Sequence, residues 1–175
     1  MKQGTTFQEM IKPFLVLLVI CLVVSALLGF TNSVTAPIVE ENELRAAEET
    51  RQAVLPGAER FTEIECDTEA LGITSAYKEE SGKGYVITAA RKGYGGDVVV
   101  TVGIDANGKV VGLNANVSTE TSGVGSKAGQ SKYTDNYIGL SGSADGVDKI
   151  SGATYSSTAV RNGVSAALAA YDAIK

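Results

Sequence analysis

The chain changes its hydrophobic pattern twice in its first sixty residues. Residues 13–30, "PFLVLLVICLVVSALLGF", form one unbroken apolar run. At ~1.5 Å per residue in a helix the run is roughly 27 Å long, close to the hydrocarbon thickness of a bilayer. It exceeds the ~7–15 residues typical of the apolar part of a signal peptide, and Pro37 directly follows the one passable small-residue cleavage site, Val34-Thr35-Ala36. The run therefore reads as an uncleaved membrane helix. Residues 38–54, "IVEENELRAAEETRQAV", are rich in charge, with Glu41 and Arg45 spaced i, i+4 and Pro56-Gly57 just beyond. That predicts a charged helical stalk.

The remaining chain switches to strand patterning. The signal is weak over 73–78, stronger in "YVITAAR" (85–91), and strongest in "DVVVTVGI" (97–104) and "KVVGLNANV" (109–117). Glycines in "SGKG" (81–84) and "GYGG" (93–96) mark turns, and Asn107-Gly108 between apolar runs is a strong hairpin signal. Residues 73–117 are thus predicted to form an antiparallel meander. Residues 118–149 are rich in Ser, Gly, Thr and Asp and read as a long loop with a short helix near 131–138. Loops of that length in a compact domain are usually functional or disordered. Val160, Val164, Ala167, Leu168, Tyr171 and Ile174 recur at helical spacing, which predicts a terminal helix from about residue 157, capped by Ser156 or Ser157.

The expected fold class is α+β: one N-terminal transmembrane helix plus one extracytoplasmic domain, an antiparallel sheet meander flanked by helices. The expected boundaries are a short cytoplasmic N-terminus over 1–12, the transmembrane helix over 13–30, a juxtamembrane stalk over 31–57 and the domain over 58–175. Lys2 and Lys12 precede the apolar run, and Glu40, Glu41 and Glu43 follow it. The positive-inside rule then places the N-terminus in the cytoplasm of a single-pass protein.

Composition removes several chemistries. The net charge of −5 argues against a nucleic-acid binder, which shows a basic face. There is no histidine, and there are only two cysteines, Cys21 and Cys66. A Cys/His zinc cluster, a four-cysteine iron–sulfur cluster, a C-x-x-C-H haem attachment and a Ser-His-Asp triad therefore cannot be assembled from this chain. Cys21 lies in the apolar run, so no disulfide within the domain is expected. Redox work, if done here, needs an organic cofactor.

The stretch that stands out is Ile150–Ser157, "ISGATYSS", at the start of the terminal helix. A helix N-terminus offers free N–H groups and the positive end of the macrodipole, and so attracts phosphate. Gly152 permits a tight turn, Ser156 and Ser157 can cap the helix or donate to phosphate oxygens, and Thr154 precedes them. On these residues alone, a capped helix after a Ser/Gly loop is the simpler reading.

A resemblance shifts that balance. "DKISGATYSS" (148–157) resembles the S-G-A-T-x-[ST]-S motif of the covalent FMN-binding domain family. "TETSGVG" (119–125) resembles that family's E-T-P-G-L-G, with Ser122 and Val124 in place of proline and leucine and without the histidine often found just before it. "LPGA" (55–58) and "GYGG" (93–96) match more weakly. The resemblance implies one FMN, bound covalently through a phosphoester to Thr154. It implies Ser151, Gly152, Ala153, Ser156, Ser157, Glu120, Thr121, Gly123 and Gly125 as the remaining cofactor-binding residues, with no catalytic residue and no metal. Glu120 would place negative charge near the flavin, or be a solvated loop carboxylate. Tyr85, Tyr94, Tyr133, Tyr137 and Tyr155 are candidate flavin neighbours.

One membrane helix plus one flavin domain is similar to the plan of the G subunits of Rnf-type ion-translocating ferredoxin:NAD oxidoreductase complexes. That likeness implies an electron-transfer subunit in the cell membrane, multi-spanning partner subunits and a flavin transferase for maturation. Three alternatives remain open at this point. They are the flavin subunit of a related sodium-pumping quinone reductase, a stand-alone extracytoplasmic electron carrier, and a non-redox anchored scaffold in which "SGAT" only caps a helix.

Overall fold

A computed structural model describes residues 4–65 and 71–175, with side chains from residue 11 onward. Cys66 lies outside the described residues. The chain divides into two units, Met1–Ala46 and Ala47–Lys175.

Helix α1 runs unbroken from Gly4 to Val54. Its apolar stretch has a mean hydropathy of 2.9, none of it is buried, and the helix is long and apolar enough to cross a membrane once. Cys21 is a free, exposed cysteine on it. The sequence predicts a membrane helix over 13–30 followed by a helical stalk, and α1 runs through both stretches as one helix. Between them the Ser33 hydroxyl donates to the Phe30 carbonyl (2.8 Å) and the Thr35 hydroxyl to the Thr31 carbonyl (2.9 Å). The polar residues thus bond back into their own helix instead of capping a new one. Pro37 is accommodated within α1. The Glu41–Arg45 pair forms at 3.3 Å, but both side chains are mostly exposed. Such i, i+4 pairs contribute only about 0.3–0.5 kcal/mol.

In the second unit, strands β1 (Phe61–Glu63), β2 (Ile73–Glu79), β3 (Gly84–Lys92), β4 (Asp97–Asp105) and β5 (Val110–Asn116) form one sheet. All neighbours are antiparallel and the order is β1-β2-β3-β4-β5. This is the expected meander with one extra edge strand. β1 has three residues and is defined only by its pairing to β2, Phe61 opposite Glu79.

The Asn107-Gly108 hairpin forms, but not as a two-residue turn. Gly108 takes φ +80°, whereas no non-glycine residue among the described residues has positive φ. Asp105 closes the loop: its carboxylate accepts from the Asn107 and Lys109 amides, both at 2.9 Å, and its carbonyl accepts from Gly108.

A short helix α2 (Ser131–Thr134) continues into a 3-10 turn, Asp135–Tyr137, where the sequence predicts a short helix near 131–138. The terminal helix α3 spans Thr154–Ile174. Its buried face, Val160, Val164, Ala167 and Leu168, packs on Val98, Val100, Val102 and Ile104 of β4 and Ile87 and Ala89 of β3. Burying a side chain such as Leu168 is worth roughly 1.5–3 kcal/mol. At Gly163 a Cβ would come within 2.7 Å of Val100, so the missing side chain sets how closely helix and sheet approach. The opposite sheet face holds a smaller cluster of Val54, Leu55, Ala58 and Val86. Gly103 and Gly112, paired across β4 and β5, lie against the Val54 backbone, where any Cβ would collide. Cover on both faces explains why β4 ends as a continuous buried run, Val100–Ile104, rather than an alternating one.

The start of α3 departs from expectation. Its N-cap is Ala153 with no side-chain cap, and Ser156 and Ser157 lie inside the first turn. Their hydroxyls are committed elsewhere. Ser157 Oγ donates to the Ala153 carbonyl (2.9 Å) and accepts from the Ile150 amide (3.2 Å), while Ser156 Oγ donates to Glu120. Thr154 is therefore the first helical residue, not a loop residue ahead of the cap.

Candidate functional site

Three segments far apart in sequence meet at the N-terminal end of α3: the β3–β4 turn, the loop after β5 and the first turn of the helix. Glu120 joins them. One carboxylate oxygen, Oε1, accepts from the backbone N–H groups of Tyr94 and Gly95, each at 2.9 Å. The other, Oε2, accepts from the Ser156 hydroxyl. Glu120 is 7% exposed, so it is not a solvated loop carboxylate. The turn it holds is itself closed by the Gly93 amide donating to the Gly96 carbonyl at 2.8 Å. The two loops are also tied at Thr119, whose hydroxyl donates to the Asp97 carbonyl at 3.1 Å.

Two glycines make room for this carboxylate. A Cβ on Gly93 would strike Glu120 Oε1. One on Gly125 would lie 2.6 Å from Ser156 Oγ and 2.9 Å from Glu120 Oε2. Both glycines of the "GYGG" and "SGVG" stretches that face Glu120 are thus required by its packing.

Burial pushes the Glu120 carboxyl up, but the Ser156 hydroxyl and the amides of Gly95, Tyr94 and Gly96 outweigh it and hold its pKa below the ordinary 4.5. A carboxyl that titrates lower in the folded chain than in the unfolded one stabilises fully above the unfolded value. That contribution is lost as pH falls through the folded value. The domain's melting temperature is therefore expected to fall on acidification below about pH 4.5, the ordinary value. Glu120→Gln should flatten part of that fall. Glu79 and Asp105, also lowered, act in the same sense. Identical acid profiles for wild type and Glu120→Gln would remove Glu120 from this account.

Between the segments lies a cavity of about 220 Å³, lined by Tyr94, Glu120, Thr121, Val124, Gly125 and residues 152–156. At its edge Tyr94 and Tyr155 are 74% and 69% exposed, with ring centroids 6.2 Å apart and planes tilted by 49°. Large aromatic surface left this open beside a cavity is available to stack on a planar ligand. Gly152 has φ +81° and nothing within 4 Å of where a Cβ would be, which leaves the backbone open to a ligand. The amides of Thr154, Tyr155 and Ser156 have no preceding helical carbonyl to bond, and no side chain caps them. Thr154 is exposed, and its hydroxyl has no hydrogen-bond partner among the described residues.

Of the residues expected at the site, Thr154, Gly152, Ala153, Ser156, Glu120, Thr121 and Gly125 line the cavity. Ser151, Ser157 and Gly123 do not. Ser151 and Gly123 are exposed beside it, and Ser157 is buried beneath the helix start. Gly123 supplies positive φ (+74°) and donates its N–H to Ser126 Oγ, so its role in the loop is to turn the chain. Ser156 donates to Glu120 and not toward open space. Of the five candidate tyrosines only Tyr94 and Tyr155 reach the cavity. Tyr85 packs edge-on against Tyr171, and Tyr133 and Tyr137 pair in the core. Burial and the hydrogen bond to Tyr133 push the Tyr137 phenol up, so it stays neutral. Val124 was not anticipated. Its sequence signal was an apolar residue in an otherwise polar loop, at the position of the family's leucine, and in the structure it is 43% exposed.

A cavity beside an uncapped helix start, two open aromatic rings and a free threonine hydroxyl define a site for a planar ligand carrying phosphate. Residues 93–169, from the Glu120-bound turn into α3, match the FMN-binding domain family. The chain belongs to that family. It is 30% identical over 188 aligned residues to the G subunit of the Na(+)-translocating ferredoxin:NAD(+) oxidoreductase complex of Acetobacterium woodii, covering 91% of this chain and 90% of the relative. It is 22% identical over 165 residues to the G subunit of the proton-translocating ferredoxin:NAD(+) oxidoreductase complex of Clostridium ljungdahlii, covering 87% and 86%.

Proposed function

We propose that this chain is a membrane-anchored flavoprotein subunit of an Rnf-type ferredoxin:NAD oxidoreductase complex, and that it holds one FMN covalently on Thr154. The observation that carries this reading is the free, exposed Thr154 hydroxyl at the first position of an uncapped helix, next to the cavity. The names of the two relatives support membership of such a complex. Bound FMN supplies one-electron transfer.

The chain's own residues do the rest. Thr154 Oγ1 provides the oxygen of the phosphoester. The amides of Thr154, Tyr155 and Ser156 face the phosphate and the helix dipole favours its charge. Gly152 leaves the approach open. Tyr94 and Tyr155 would stack on the ring system and limit water there, with Thr121 and Val124 completing the cavity wall. In the attachment step the Thr154 O–H bond would break and its oxygen would bond to phosphorus as a P–O phosphoanhydride bond of the activated flavin breaks; the proton would leave with the displaced phosphate-bearing group, and the chain would gain one FMN less one water. A flavin transferase supplies the activated flavin.

Co-expressed with such a transferase, the chain should give a yellow-fluorescent band after denaturing electrophoresis. A dark band from a preparation in which a known substrate of the same transferase fluoresces would exclude the covalent flavoprotein.

The anchor is the apolar part of α1, and the domain lies on the extracytoplasmic side. The support is the lysines before the run and the glutamates after it. In a Cys66→Ser background, Ser141→Cys, at an exposed loop position, should react with a membrane-impermeant thiol reagent in whole cells. Labelling only after lysis reverses the orientation.

A further inference from the structure

Glu120 is a buried acid without a cation. It accepts two backbone N–H bonds and one hydroxyl bond and donates none, a pattern that suits the charged form. No ion pair among the described residues includes it. Loop stability alone would not require a charge here, because an amide side chain could make the same contacts. Its carbonyl oxygen would accept from Tyr94 and Gly95, and its NH2 would donate to Ser156 Oγ, whose hydroxyl need only turn. Yet the residue lines the cavity at which Thr154 and the two open tyrosines converge.

We infer that the Glu120 carboxylate is a fixed negative charge that lowers the reduction potential of the flavin held in this cavity. This rests on the flavoprotein reading above. Adding an electron to a group beside an anion is electrostatically unfavourable. In a site shielded from water the effect is larger than in bulk solvent. The first turn of α3 donates to this carboxylate through the Ser156 hydroxyl. Glu120 also fixes the position of Tyr94 through that residue's amide and of the first turn of α3 through Ser156. One residue thus sets both the geometry and the field of the site.

The near-isosteric Glu120→Gln separates field from geometry, because it removes the charge and keeps three hydrogen bonds available. Full-length wild type, Glu120→Gln and Ser156→Ala are made with the transferase. Intact mass gives flavin loading, and a spectroelectrochemical titration gives the midpoint potential. Glu120→Gln, which keeps the three hydrogen bonds available, is expected to retain covalent flavin and to titrate at a higher potential. Ser156→Ala keeps the charge and loses one hydrogen bond, so its shift in potential should be clearly smaller than that of Glu120→Gln.

An unchanged or lower potential in loaded Glu120→Gln overturns the inference and leaves the flavoprotein reading intact. A folded Glu120→Gln that fails to load overturns it too, because Glu120 would then serve attachment and not potential. If Ser156→Ala shifts the potential as far as Glu120→Gln, the effect comes from geometry and the inference fails. Unloaded wild type overturns the flavoprotein reading itself.

Discussion

Thr154→Val, co-expressed with the flavin transferase, should carry no covalent flavin at all, while its melting temperature stays near that of the unloaded wild type. The loss is all-or-none because the substitution deletes the only oxygen lining the cavity that is both exposed and free among the serine and threonine hydroxyls of the helix start. Ser156 and Ser157 are each 2% exposed or less, and both hydroxyls are already hydrogen-bonded. The fold has little to lose. The Thr154 hydroxyl bonds to nothing else in the described chain, and valine keeps the β-branched shape at a surface position. Such changes usually stay within about 0.5 kcal/mol. In-gel fluorescence and a melting curve on the same preparations check both halves. A fluorescent Thr154→Val band would move the attachment to another residue.

The second large effect is expected at Gly125. The glycine is buried, and a Cβ there would sit 2.6 Å from Ser156 Oγ and 2.9 Å from both Glu120 Cβ and Oε2. None of these neighbours is the free end of a long side chain, so they cannot simply swing away. Gly125→Val should break the Glu120–Ser156 bond, release the Tyr94 turn and close the cavity. Overpacking of this kind typically costs about 1–3 kcal/mol. Covalent loading should fall well below wild type even at temperatures where the variant is folded. Gly146→Ala is the matched comparison, since nothing lies within 4 Å of its Cβ position and its φ is not positive. It should load and melt as wild type does. Normal loading in folded Gly125→Val would show that the Glu120 linkage does not shape the site.

The sheet was legible in the sequence because its signals are local. Strands β2 to β5 alternate or run apolar, and each turn between them is marked by glycine. β1 was not legible, because three residues carry no period and Phe61–Glu63 is a strand only through its partner β2. The continuity of α1 was hidden by Thr31–Ala36, where polar residues and a following proline resemble a break. Hydroxyls that bond back to their own helix remove that break without leaving a sequence mark.

The motif pointed to Thr154, which lines the cavity, but the use of its neighbours was not legible. Serine ahead of an apolar period reads as a cap, and here both serines were drawn away by other partners. Glu120 was the hardest residue to place. A glutamate in a Ser/Gly/Thr loop is ordinarily at the surface. What buries it are amides 25 and 26 positions earlier and a hydroxyl 36 positions later, none of which any local pattern announces.

The most direct measurement is the site of flavin attachment itself. Trypsin cleaves after Lys149 and Arg161, so the peptide Ile150–Arg161, "ISGATYSSTAVR", isolates every hydroxyl of the motif. Fragmentation of that peptide from wild type made with the transferase should place one FMN less one water on Thr154. The same mass on Ser151, Ser156, Ser157 or Thr158, or an unmodified peptide from transferase-competent cells, would contradict the account.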